Sequence, residues 1–393
     1  MANRWKNVTK GFRGLNIITA ALVVQFLVSI AFNLMGSFMP LFISSDLNET
    51  LIEATYWTGV ASFVSSSIMA FTAPFWGWMC DRVGTKKVLM TVIAGNTIVY
   101  GGMAAATGVL QIVFYRALQG AFGGISTVMF AVVVEVASPS DIKRVLSFQM
   151  AAMTMGGLVA PGIGGALASV IGYRLTLAIS ALLFILIIPL VSILSLPPPA
   201  GKAELTRFGL SDLRAILPDA FALILVYICI SFITPIIPWY IESLGVPYSQ
   251  LLLYTTATTV LNGLAYAAAT PVLTRMVDDR TLPLLSLLAA VVIELTAFVS
   301  NPFYFIAIRI IIGAIQAGIP PNLLGGKSGR KGTGMGFLNS ARFLGMAIGP
   351  VMATNILGDG IPPRPLYMFT SIALVSFSAT IFIYLTHTRK SSN

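Results

Sequence analysis

Long apolar runs follow one another along the whole chain, and Gly, Pro or a cluster of charge interrupts each of them. A membrane-spanning helix needs about 20 mostly apolar residues. Twelve stretches meet that length: 15–43, 56–79, 88–107, 109–136, 144–170 and 174–196, then 215–241, 249–275, 281–300, 302–320, 332–357 and 365–387. The runs are unbroken, as in 175–196. A membrane β-barrel would instead alternate in segments of about ten residues. The pattern predicts an all-α membrane protein with 12 transmembrane helices. The first apolar run is about twice the length of a signal-peptide core, so it is read as an uncleaved first helix.

Charge sets the orientation. Of the 24 Lys and Arg residues, all but Arg174, Arg364, Arg116, Arg309 and Arg342 fall in seven polar segments on one side of this topology. Short basic loops mark the cytoplasm. Both termini are therefore expected inside, in a multi-pass protein of a prokaryotic inner (plasma) membrane. The net charge of +10 follows from the same distribution. It points to lipid headgroups as partner rather than nucleic acid.

Composition narrows the class further. The chain is 56% hydrophobic and 10% charged, whereas a soluble domain carries about 25% charged residues. A soluble domain is excluded, and so is intrinsic disorder. One histidine, His387, and two separated cysteines, Cys80 and Cys229, leave no basis for a metal site. Gly326-Lys327-Ser328 looks like the end of a phosphate loop, but Pro321 stands where its first Gly belongs. With no Ser/His/Asp or Cys/His arrangement, the chain is not expected to be an enzyme, and no cofactor is implied.

The sequence repeats itself weakly. Pro197-Pro198-Pro199 opens a polar stretch, 197–214, between halves at 1–196 and 215–393. Pro40 pairs with Pro238, and Pro74 and Asp81 with Pro271 and Asp278. Arg116 and Gly120 pair with Arg309 and Gly313; Phe148, Gly156 and Pro161 pair with Phe337, Gly345 and Pro350. Order is kept throughout, as a duplication requires. Two pseudo-symmetric six-helix halves place a binding site between them, near the middle of the membrane.

Three motifs carry a resemblance. The loop after the second span reads Gly77-Trp78-Met79-Cys80-Asp81-Arg82-Val83-Gly84-Thr85-Lys86-Lys87, similar to the GxxxDRxGRKK signature of the major facilitator superfamily. Arg116, Gln119 and Gly120 match that family's RxxQG element. Gly156, Pro161, Gly164 and Gly165 resemble the GxxxGPxxGG motif of its 12-helix drug:proton antiporter branch. Ala160 replaces one Gly and Thr85 a basic residue. The resemblance implies the major facilitator fold, alternating access and the proton gradient as energy source. It also implies that Asp81, with Arg82 and Glu135 nearby, latches the inner gate against the glycine-rich helix start at 332–336, where exposed N–H groups favour a carboxylate. The counterpart Asp278 would dock on the start of the fifth span at Ser138-Pro139-Ser140-Asp141.

Residues inside the spans supply the rest. Arginines at membrane depth face a cavity or a partner, which makes Arg116, Arg309 and Arg342 candidates. Glu294 is a candidate proton carrier beside Asp81 and Glu135. Spans one and seven read as free of buried Asp or Glu. Asn33, Trp239, Tyr240, Tyr266 and Phe337, with Met150, Met153 and Met155, are the expected cavity lining, soft enough for varied apolar ligands. The reading is a monomeric carrier of small molecules, a proton-coupled exporter of amphipathic organic compounds. The deep arginines keep open an alternative, a carrier of organic anions.

Overall fold

The computed structural model describes residues 2–136, 142–193, 210–278, 280–324, 332–358 and 364–387. Some side chains within these stretches, including those of Asp81, Glu135 and the residues at 332–336, lie outside the described residues, as does the loop at 138–141. The first half comprises α1 (Ala2–Asn33), α2 (Met39–Asp46), α3 (Leu51–Val83), α4 (Thr85–Ala105), α5 (Val109–Ala121), α6 (Ile125–Val136), α7 (Ile142–Ile171) and α8 (Tyr173–Ile193). The second comprises α9 (Leu210–Phe232), α10 (Ile237–Ser243), α11 (Tyr248–Met276), α12 (Leu282–Leu295), α13 (Pro302–Gln316), α14 (Ile319–Leu324), α15 (Gly332–Gly358) and α16 (Arg364–His387). Each expected span is one of these helices or a pair with a short break between them.

Helices and apolar runs do not coincide. α1 begins at Ala2, and α9 begins at Leu210, inside the stretch read as a linker. Helical hydrogen bonding continues beyond the apolar segment. Among the described residues, five stretches are long and apolar enough to cross a membrane on their own: Ile17–Ser37, Thr85–Ala105, Ala151–Ile171, Tyr173–Ser192 and Leu217–Ser243. Some of the other spans are broken into shorter helices or diluted by buried polar residues. α3, for example, buries Thr55, Thr58, Ser65 and Ser66.

The breaks themselves are duplicated. A 3-10 turn at Leu34–Ser37 separates α1 from α2, and one at Thr234–Ile236 separates α9 from α10. Gly123 and Gly124 interrupt the fourth span, and Gly318 the tenth. A break inside a membrane frees carbonyls that must find donors. At the α5/α6 break, Gly120 O accepts from Thr72 Oγ1 at 2.9 Å and Ala121 O from Trp76 Nε1 at 2.7 Å. Phe122 O accepts from Asn96 Nδ2 at 3.0 Å. Trp76→Phe keeps the ring and removes the donor. It is expected to cost about 1–3 kcal/mol, read as a lower unfolding midpoint in detergent. An unchanged midpoint would mean that the Ala121 carbonyl finds another donor.

Turns are tight at both ends of the bundle. Gly84 alone joins α3 to α4, with φ +95° and its N–H on Cys80 O at 3.0 Å. Only glycine enters that region freely. At the other end Thr50 and Glu53 form a capping box on α3. The Thr50 hydroxyl and backbone N–H hold the Glu53 carboxyl below its ordinary pKa. Arg174, a positive charge expected on the outer side, is a clamp at this end. It pairs with Asp46 at 3.2 Å and donates to Ala104 O at 3.1 Å and Ala106 O at 2.6 Å, tying α8 to α2 and to the C-terminus of α4.

Packing repeats between halves as the sequence does. α1 lies on α7, α3 on α5 and α4 on α8; the counterparts are α9 on α15, α11 on α13 and α12 on α16. A Cβ on Gly156 would meet Phe26 O and Ser29; one on Gly345 would meet Ile224 O and Tyr227. The shift from Phe26 to Ile224 is the shift from Pro40 to Pro238. Between the halves, α3 packs on α15 and α7 on α11. These two contacts are themselves counterparts.

Candidate functional site: a central cavity between the halves

Two adjoining cavities lie where the halves meet, of about 240 and 290 Å³. Phe32, Asn33, Met69, Phe343 and Met346 belong to the walls of both. The smaller cavity is bounded by Met35, Gly36, Thr234 and Pro235, residues of the two 3-10 turns. The breaks in the first and seventh spans thus fall where irregular backbone is tolerated at membrane depth, against a cavity. The larger cavity reaches Gln25, Ser126, Met153, Thr154, Tyr227 and Arg342.

Polar groups around the cavities form two organised sets. Arg116, in the wall of the smaller one, donates to Gln119 Oε1 and, at 3.4 Å, to Ser62 Oγ. Gln119 Nε2 then donates to the Tyr100 hydroxyl at 2.7 Å, and that hydroxyl to Phe32 O. Beside the larger cavity, Gln149 Nε2 donates to Gln25 Oε1 at 2.7 Å and Gln25 Nε2 to Ser29 Oγ at 2.8 Å. Asn33 Nδ2 donates to Ser29 O at 2.8 Å.

Prolines supply a third kind of group. A proline inside a helix has no N–H for the carbonyl four residues earlier. Pro161 and Pro350 therefore free the carbonyls of Gly157 and Met346, both cavity-lining residues. Pro74 in α3 does the same for Ala70 O, which accepts a hydrogen bond across the interface from Ser340 Oγ at 3.2 Å.

Residues 21–254 and 219–393 each match the family model described as Major Facilitator Superfamily. The chain belongs to the major facilitator superfamily. It is 26% identical to Multidrug resistance protein MdtG of Proteus mirabilis over 373 residues, covering 90% of this chain and 91% of that protein. It is 26% identical to the protein of the same name from Escherichia fergusonii over 385 residues, covering 93% and 92%. In fold it is similar to a D-xylose-proton symporter, with a TM-score of 0.77 at 13% identity over 94% of this chain and 97% of that one. The protein is thus a multi-pass membrane transporter of small molecules.

In this facilitator the sequence candidates divide. Asn33, Arg116 and Arg342 line the cavities, with Gln119 behind Arg116. Gly120 packs on Ser65 O. The antiporter-type motif is a packing device: Gly156 and Gly164 seat α7 on the first span, and Pro161 O accepts from Ser37 Oγ at 2.9 Å. Gly165 faces Thr256 on α11, in the other half.

Other expectations need correction. Trp239 and Tyr240 are buried core residues and line neither central cavity, and the Tyr240 hydroxyl donates to Thr296 O at 2.7 Å, closing the end of α12. Arg309 is 8% exposed and lines neither cavity, although its counterpart Arg116 does. Ile312, one turn from Arg309, stands where Gln119 serves Arg116, so the partner is missing from the second half. Tyr266 lies outside both walls. Phe337 is half-exposed and outside both walls. Glu294 accepts from Thr370 Oγ1 at 3.0 Å, a link between the peripheral α12 and α16.

The loop candidates are also resolved in part. The Asp278 carboxylate closes its own turn, accepting from Thr281 N at 2.8 Å and Arg280 N at 3.1 Å. Those bonds, Thr281 first, hold it below the ordinary carboxylate pKa. Lys86 donates to Ser192 O near the end of α8, Arg82 lies 4.4 Å from the Trp78 ring, and Lys87 is exposed. A Cβ on Gly77 would make only ordinary contact, 3.7 Å from Thr127. Asp219 was missed by the reading of the sequence: it sits in the seventh span at 2% exposure. Its place one residue after Pro218, at the start of an apolar run, looks like an interfacial position.

Proposed function

We propose that this facilitator exports amphipathic organic compounds in exchange for protons, by alternating access. The observation that carries the reading is the pair of cavities walled from both halves and lined by Met35, Met39, Met69, Met153 and Met346 with Phe32 and Phe343. Such a lining adapts to varied apolar shapes. The relatives named as multidrug resistance proteins point the same way.

The distribution of Lys and Arg puts the termini in the cytoplasm. Gly59 against Thr354 and Pro350, and Gly165 against Thr256, then close the outer end. Rocking about the α3–α15 and α7–α11 contacts would open that end and close the inner one. In the closing state Asp81 would dock on the start of α15. Asp81, Glu135, Glu294 and the buried Asp219 are the candidate carboxylates for carrying the proton. The unit that works is a monomer in the bilayer, driven by the proton gradient alone.

Reconstituted protein under an imposed pH gradient tests this. Flux of an amphipathic dye is expected to rise severalfold with the gradient and to collapse when a protonophore is added. Flux indifferent to the gradient would overturn proton coupling.

A further inference from the structure

The polar groups of the cavity wall bear on what charge the ligand carries. Among the described residues of both walls there is no Asp or Glu, and the charged side chains are Arg116 and Arg342. Arg116 is engaged, by Gln119 and Ser62. Arg342 differs. Arg116 and Arg342 both bury an Nε without a hydrogen-bond partner, but among the described residues the guanidinium of Arg342 makes no hydrogen bond through its terminal nitrogens either. Its guanidinium lies 4.8 Å from the centre of the Phe343 ring and 5.9 Å from that of Tyr227. Ring faces hold a guanidinium plane in place through the π-system and leave its edge N–H groups free.

We propose that the larger cavity binds the carboxylate of an aromatic amphiphile through Arg342. This rests on the reading of the cavity as the transport site and names its substrate class. A guanidinium at membrane depth without an anionic partner is unfavourable, and an arriving carboxylate relieves that state with two parallel charge-assisted bonds. Phe32, Phe343, Met153 and Met346 surround the same space and take up the apolar body. The freed carbonyls of Gly157 and Met346 accept from hydroxyl or amide groups on the ligand. They carry only partial charge, so they do not offset two arginines for a cation. The wall therefore selects against organic cations and for acids.

Three probes with one ring system separate the possibilities: 1-naphthaleneacetate, its methyl ester and 1-naphthylethylamine. Binding to purified protein is followed by quenching of tryptophan fluorescence, and flux is followed in proteoliposomes under a pH gradient. The acid is expected to bind tightest. Arg342→Gln is expected to weaken the acid about ten- to a hundredfold, the range for a lost hydrogen bond to a charged group, and to leave ester and amine within about threefold. Arg342→Lys, which keeps the charge and loses the planar fork, falls between. Preference of the wild type for the amine, or equal loss for all three probes in Arg342→Gln, would overturn the proposal. If Arg342→Gln does not fold, Arg342→Lys decides: weakening of the acid alone supports the site, and equal weakening overturns it. Arg342-dependent binding of the acid with no flux of any probe would remove the transport reading and leave the site standing.

Discussion

Gly164→Ala is expected to prevent the first half from assembling. The added Cβ would sit 1.8 Å from Leu34 O and 2.7 Å from Leu34 C, both backbone atoms. No side chain can turn aside to make room. The Ser37–Pro161 hydrogen bond belongs to the same contact and fixes how α7 lies on the 3-10 turn. Overpacking that side chains can absorb costs about 1–3 kcal/mol. Here two backbones must separate along a seam that also includes Gly156, so the loss exceeds that range. Membrane abundance and the gel-filtration profile in detergent should both show little folded protein. A normal yield with normal transport would mean that α7 and the first span have slack.

The neighbouring substitution should behave in the opposite way. Gly165→Val also meets a clash, with Thr256 Oγ1 at 2.2 Å and Cγ2 at 2.7 Å from the Cβ position. Thr256, however, belongs to α11 in the other half. A carrier that swings its halves apart at this end escapes the clash without unfolding. The variant is expected to fold at wild-type yield and to lose transport at least tenfold. A penalty of about 3 kcal/mol on the closed state shifts a two-state equilibrium by roughly a hundredfold. A cysteine placed at Ser65, in the wall of the smaller cavity, should label faster from the outer side in this variant. The native Cys80 and Cys229 are buried, so background labelling is low. Equal loss of yield in both variants would erase the distinction between packing within a half and contact between halves.

Much of this architecture was legible because glycine and proline carry positional information that lipid does not blur. The pairing of Pro40 with Pro238 and of Gly156 with Gly345 gave the duplication, and the same register recurs in what those glycines touch. The motif residues were located, but their work was legible only in outline. Gly164 and Gly165 are adjacent in sequence yet serve different interfaces, which a spacing rule does not distinguish. Side-chain direction was the harder problem. In a membrane bundle the lipid-facing and core-facing sides of a helix are both apolar, so no polar face marks which residues turn inward. Trp239 and Tyr240 read as lining for that reason and are core. Met35, Met39 and Met346, which do line the cavities, looked like any other methionine. Arg309 misled because the repeat copied the arginine without the glutamine that positions Arg116.

The Ser340–Ala70 hydrogen bond bears on how the halves part. It joins the halves across the α3–α15 seam, and its acceptor is a carbonyl for which Pro74 offers no N–H within its own helix. Most interhelical bonds to a main-chain oxygen compete with the helix. This one does not, so making or breaking it leaves α3 undisturbed. A neutral hydrogen bond of this kind is worth about 1 kcal/mol net, less than twice the thermal energy RT, and water can replace either partner when the halves part. Parting the halves at this point therefore costs little and leaves the helix intact.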